Sequence, residues 1–126
     1  MKRLIFDVDG TIATAANEYA ACEPNHSLVE KLRDWKSRGY EIVLYTSRNM
    51  RTHDNNIGRV NAHMLPILME WLDRHRIPYD EVWTGKPWCG TEGFYVDDRA
   101  IRPREFVELS EAEIREVITR DGVSNA

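Results

Sequence analysis

Asp7 and Asp9 stand one residue apart in Phe6-Asp7-Val8-Asp9-Gly10-Thr11, directly after the short apolar run Leu4 to Phe6. Two carboxylates ending a buried strand, followed by a Gly-Thr turn, suit phosphoryl transfer. In an open α/β sheet, ligands collect at the carboxyl ends of parallel strands. A carboxylate there can attack phosphorus and form an acyl phosphate, splitting one hard displacement into two easier ones. Asp7 is the candidate nucleophile. Asp9, released from the strand pleat by the turn at Gly10, is the candidate to protonate the leaving oxygen and then to activate water.

Three further signals fall at the ends of predicted strands: Thr46, Lys86 and the pair Asp97-Asp98. Each alone has an ordinary reading. Asp-x-Asp-Gly can be a solvated turn, a strand-ending Thr a cap, a loop Lys a solvated charge, and Asp-Asp a helix start. Their order and placement together carry the argument, because the chemistry needs charge neutralisation. A phosphate dianion about 4 Å from an ionised carboxylate is repelled by roughly 8 kcal/mol at an effective dielectric of ~20. A hard divalent cation with oxygen ligands, Mg²⁺, answers that need. Asp7, the backbone carbonyl of Asp9, and Asp97 or Asp98 are its candidate ligands. Lys86 supplies a second positive charge. The Thr46 hydroxyl and nearby groups at Gly10 and Ser47 join Lys86 as candidates to hold the phosphate oxygens.

These residues need a scaffold of alternating strands and helices. Ser27-Leu28-Val29-Glu30 reads as a capping box opening a helix, with Leu28, Leu32 and Trp35 on one face and Gly39 as its stop. Ile42 to Thr46 is an apolar run expected of a strand covered on both faces. Residues 12 to 25 read as a loop or small hairpin, and the Asn-rich stretch 47 to 60 as a loop. Leu65, Leu68, Met69 and Leu72 mark a second helix, with Pro66 either in its first turn or kinking it. Short strands are predicted at Glu81 to Trp83 and at Gly93 to Val96. Ser110-Glu111-Ala112-Glu113 is a second capping box, opening a terminal helix with Ile114, Val117 and Ile118 inward. The order predicts an α/β fold of three layers with a mainly parallel sheet.

The 126 residues fit one domain, residues 1 to 126. Seventeen basic against 21 acidic side chains give a net charge of -4, which disfavours a dedicated nucleic-acid binder. The apolar stretch after Met1-Lys2-Arg3 is too short for a signal peptide, and no segment has the ~18 apolar residues of a membrane span, so a cytoplasmic protein without a membrane partner is expected. Cys22 and Cys89 have no metal-ligand spacing and read as free thiols.

Asp-x-Asp-Gly-Thr, a strand-ending Thr, a Lys and Asp-Asp, in this order, resemble the haloacid dehalogenase (HAD) superfamily of phosphatases. The stretches Thr46 to Thr52, Gly85 to Gly90 and Tyr95 to Pro103 resemble a small subfamily known as bacterial capsular polysaccharide biosynthesis phosphatases. The resemblance implies a Rossmann-like, HAD-type fold and a cytoplasmic, Mg²⁺-dependent phosphomonoesterase of capsule precursor metabolism. It makes Asp7 the nucleophile, Asp9 the acid/base, Thr46 the phosphate-binding hydroxyl and Lys86 the neutralising lysine. Asp97 and Asp98 become the metal acids, Asp98 directly and Asp97 through water.

This chain departs from larger members in having no room for a cap domain, either in residues 12 to 25 or in 47 to 85. An open site follows, serving a large substrate or covered by a neighbouring subunit of a homo-oligomer. Arg48, Asn49 and Arg51, with His53, follow Thr46 on a loop that would overlook the phosphate, and are the candidates for substrate recognition. Trp88 either stacks on a sugar ring or nucleobase or covers the core. Arg99, Arg102 and Arg104 either pair with acidic neighbours or bind an anionic group. The expected substrate is a small phosphorylated metabolite, a sugar or polyol phosphate. The competing readings are a nucleotide or polynucleotide end phosphatase, a receiver-type phosphoacceptor domain, and a non-catalytic assembly protein.

Overall fold

Three short strands run parallel in the order β1 (Arg3–Phe6), β2 (Glu41–Tyr45), β3 (Glu81–Trp83). The computed structural model describes residues 1–14 and 19–121, so residues 15–18 of the expected loop lie outside the described residues. The chain divides into two compact units, Met1–Trp88 and Cys89–Ala126.

In the first unit β2 is the central strand, and Ile42, Val43 and Leu44 are all buried, as its unbroken apolar run predicts. The outer strands expose a residue each, Ile5 on β1 and Trp83 on β3. Register is fixed along both ladders, Leu4 opposite Ile42 and Leu44 opposite Val82. Parallel neighbours require crossovers. The first crossover is α1 (His26–Ser37); the second is α2 (Ile57–His63) followed by α3 (Leu65–Arg74).

Helix α1 starts two residues earlier than the expected capping box. Asn25, not Ser27, caps it, its Oδ1 accepting from Leu28 N at 3.4 Å. Leu28, Leu32 and Trp35 form its buried stripe. At the other end Gly39 N donates to Lys36 O and Tyr40 N to Trp35 O, a Schellman closure with Trp35 and Tyr40 in edge-on ring contact at 4.9 Å. The stretch 47 to 60, expected as loop throughout, turns into α2 at Ile57. Asn56 caps it by accepting from Arg59 N at 3.1 Å, so an Asn-rich segment that reads as loop also held a helix start. Pro66 sits in the first turn of α3, where its missing N–H costs nothing. Val60, Met64, Leu68, Trp71 and Leu72 are the buried face of the α2–α3 pair.

The expected loop 12–25 is partly hairpin-like: Ala13 makes an antiparallel bridge to Pro24, and Tyr19–Ala21 form a 3₁₀ turn. Cys22 is buried and Cys89 exposed, both as free thiols.

In the second unit the expected strand Gly93 to Val96 is not a strand, and Phe94, Tyr95 and Val96 are exposed. Four residues of apolar pattern make a strand only when a neighbour supplies the ladder. Helix α4 (Pro103–Glu108), absent from the sequence reading, is opened by Pro103 and by Glu105 Oε1 accepting from Arg102 N at 2.8 Å. Helix α5 (Glu111–Asp121) forms on the expected capping box: Ser110 Oγ accepts from Glu113 N at 3.2 Å, and Glu113 Oε1 from Ser110 N at 3.0 Å. Those bonds hold the Glu113 carboxyl below its ordinary range. Ile114 is buried, and Val117 and Ile118 are half-buried. Among the described residues no helix is long and apolar enough to cross a membrane.

Candidate active site

The parallel sheet delivers three sequence segments to one end. Asp7 follows β1, Thr46 follows β2, and Lys86 comes three residues after β3. The ladder continues past the strands here: Thr46 N donates to Trp83 O at 2.9 Å and Lys86 N to Thr46 O at 3.1 Å. Thr46 and Lys86 are thus backbone neighbours. Gly85, just before Lys86, has a φ of +83°, and a Cβ there would lie 2.8 Å from Ile57 Cδ1, so glycine suits both the backbone and the packing of this turn.

Lys86 Nζ lies 3.4 Å from Asp7 Oδ1, and the Thr11 hydroxyl donates to Asp7 Oδ2 at 3.2 Å. The Asp7 side chain is 35% exposed while Lys86 is 18% exposed, so the acid faces outward and the cation backs it. Asp9 is held differently. Arg48 Nε donates to Asp9 Oδ2 at 3.0 Å and Nη2 to Oδ1 at 2.7 Å, a fork on both carboxylate oxygens. Arg48 also donates its backbone N–H to Thr46 Oγ1 at 3.0 Å, which leaves the buried Thr46 hydroxyl its own proton to donate.

The recognition loop therefore differs from expectation at Arg48, which is buried instead of overlooking the phosphate. The Tyr19 ring covers its guanidinium at 4.2 Å. Burial, and then the Asp9 charge, raise the Tyr19 hydroxyl above its ordinary pKa, so it stays protonated. Arg51 is exposed and lies over the Trp88 ring at 5.4 Å. Ser47 and Asn49 are half-buried, and Asn49 takes a left-handed backbone with φ 61° that Asn tolerates. The Gly10 N–H is used within the turn, donating to Ala13 O at 2.8 Å, with φ +82°.

Asp97 and Asp98 belong to the second unit, in an exposed turn where Asp97 Oδ1 accepts from Arg99 N at 2.8 Å. Arg104 pairs with Glu108 at 3.2 Å. Within neither unit do three or more His, Cys, Asp or Glu side chains gather as a metal site, among the described residues. The donors at the strand ends are nonetheless hard oxygens, the chemistry Mg²⁺ takes. The Asp9 carboxylate is engaged by Arg48, and the Asp7 carboxylate and the Asp9 backbone carbonyl are the expected donors there.

Two contributors were not singled out from the sequence. Thr11 was legible in principle, four residues after Asp7 and beyond a Gly turn. Tyr19 carried no local signal, since its place over Arg48 depends on how the segment after β1 folds back.

A protein from Vibrio cholerae, known by its crystal structure, is 47% identical over 97% of this chain and all of its own, with a TM-score of 0.94. The chain belongs to that protein's family. A chain of a Pnkp1/Rnl/Hen1 complex is 20% identical and superposes with a TM-score of 0.50 over 85% of this chain and 33% of its own, a likeness of fold alone. No family profile and no curated protein matches the chain.

Proposed function

We propose that the chain is a HAD-type phosphomonoesterase that works through an aspartyl phosphate. The observation that carries the reading is the half-exposed Asp7 carboxylate at a parallel strand end, backed by Lys86 at 3.4 Å with Thr46 alongside. An Asp7 oxygen attacks phosphorus and the ester P–O bond breaks, its electron pair leaving on the departing oxygen. That oxygen takes the proton held by Asp9. In the return step Asp9 takes a proton from water as the water oxygen attacks phosphorus, and the P–O bond to Asp7 breaks, releasing phosphate. Lys86 and the Thr46 hydroxyl offset the charge on the phosphoryl oxygens.

Mg²⁺ would be held by Asp7 and the Asp9 carbonyl and would neutralise phosphate charge there; the assignment of Asp97 and Asp98 as metal acids rests on the sequence resemblance alone. The substrate class we propose is a small sugar or polyol phosphate of capsular polysaccharide synthesis, a setting that rests on the sequence resemblance alone. The stack of Arg51 on Trp88 favours a second reading, a nucleotide or polynucleotide end phosphatase, because an aromatic ring with a cation beside it suits a nucleobase phosphate.

The deciding experiment is phosphate release from sugar phosphates, polyol phosphates, nucleotides and an aryl phosphate, with Mg²⁺, with EDTA, and with Asp7→Asn. Release lost in EDTA and in the variant is the expected result. Equal release by both proteins, or none from any ester, rejects the reading.

A further inference from the structure

We propose that Arg48 is the positioning residue of Asp9 and takes no direct part in substrate recognition. The proposal rests on the reading of Asp9 as the proton-transfer group.

Two of the three guanidinium nitrogens and one face are committed. Its Nε–Nη2 edge is on Asp9, at 3.0 and 2.7 Å, and its face is under the Tyr19 ring at 4.2 Å. Its remaining nitrogen, Nη1, is buried without a hydrogen-bond partner. A recognition arginine presents donors to a ligand arriving from solvent; this side chain is 1% exposed against 35% for Asp9. A buried N–H left unpaired costs stability, so stability alone does not account for an arginine in this place.

What the fork achieves is geometric. Asp9 lies beyond the end of β1 and before the left-handed Gly10; an isolated bridge to Ala13 holds its backbone and leaves the side chain to be set by the fork. An ionised carboxylate has about four lone-pair sites, of which the fork uses one on each oxygen. Its plane is then set, and each oxygen keeps one site for a proton or a water. Arg48 in turn is anchored through its backbone N–H to Thr46 Oγ1. The acid/base on the β1 segment is thereby registered against the phosphate-holding hydroxyl on the β2 segment. A misplacement of about 1 Å in such a group costs on the order of 100-fold in rate.

The test compares kcat/KM for p-nitrophenyl phosphate, whose leaving group needs no proton, with glycerol phosphate, whose alkoxide does. In Arg48→Gln the glycerol phosphate value should fall about 100-fold further than the aryl value, with Arg48→Lys between. In an Asp9→Asn background, Arg48→Gln should change either value by less than about threefold, because residues acting as a unit are non-additive. Equal losses on both esters with a raised KM would make Arg48 a phosphate ligand and overturn the proposal alone. Wild type indistinguishable from Asp7→Asn on both esters would overturn the phosphatase reading as well. If Arg48→Gln does not fold, Arg48→Lys and Tyr19→Leu, which uncovers the guanidinium, give the same comparison of esters.

Discussion

The two ends of the parallel sheet carry similar charges and bury them to different depths. At the amino end, Arg3 reaches Glu81 at 3.1 Å and Glu41 at 3.8 Å. Beside them Asp80 accepts from Ile42 N at 2.8 Å and from Lys36 Nζ at 2.9 Å. These side chains are between 28% and 56% exposed and tie strand to strand or helix to strand. At the carboxyl end, Arg48 and Lys86 are withdrawn from solvent, and the carboxylates they hold are the more exposed partners. A buried Arg48 and a largely covered Lys86 beneath presented acids make a place where a dianion can approach two carboxylates; pairs with more open cations do not. The difference teaches that charge inventory does not locate a site, whereas the depth of the cation does: the side chains of Arg48 and Lys86 are 1% and 18% exposed, those of Arg3 and Lys36 28% and 36%.

That contrast can be broken most severely at Asp7. Asp7→Asn should reduce phosphate release to background, measured as steady-state turnover on the best ester, with the fold unchanged by circular dichroism. Lys86→Met should follow, lowering kcat/KM about 10²- to 10³-fold, the usual scale for removing one preorganised electrostatic group. Survival of most activity in either variant would remove the distinction between the two ends.

The amino end should respond in stability and not in turnover. Asp80→Asn should cost about 1 kcal/mol at neutral pH, read from urea midpoints, because it weakens a charge-assisted cap on a partly exposed site. The bond from Ile42 N, and then Lys36, hold the Asp80 carboxyl below its ordinary value of 3.8. A depressed acid stabilises above its unfolded value and loses that contribution as pH falls through the folded one. The cost of Asp80→Asn should therefore shrink progressively as pH falls below 3.8. A cost that does not shrink on acidification would contradict that cause. The smallest effect is expected for Arg3→Met, about 0.5 kcal/mol with unchanged phosphate release.

Much of this was legible along the chain. Asp7, Thr46 and Lys86 were placed correctly at strand ends because each follows a local signal: an apolar run, a pattern break, a Gly turn. The α5 cap was legible for the same reason, since Ser110 and Glu113 satisfy each other within one turn. Helices α2 and α4 were missed because a short helix is stabilised by what it packs on, and Asn56 or Pro103 marks a loop as readily as a helix start. The segment Gly93 to Val96 has strand-like composition without a ladder of its own, and composition alone does not supply one.

The sequence by itself determined the three strands and helices α1, α3 and α5, the carboxylates and cations of the candidate chemistry, the α5 cap and the Gly39 closure of α1, because those depend on neighbours within a few residues. Only the tertiary structure decided that Arg48 turns inward to Asp9 beneath Tyr19. Nothing local to Thr46-Ser47-Arg48-Asn49 distinguishes a guanidinium facing solvent from one buried on a carboxylate. That choice is made when β1 and β2 come into register and the desolvation of the arginine is offset by a partner 39 residues away.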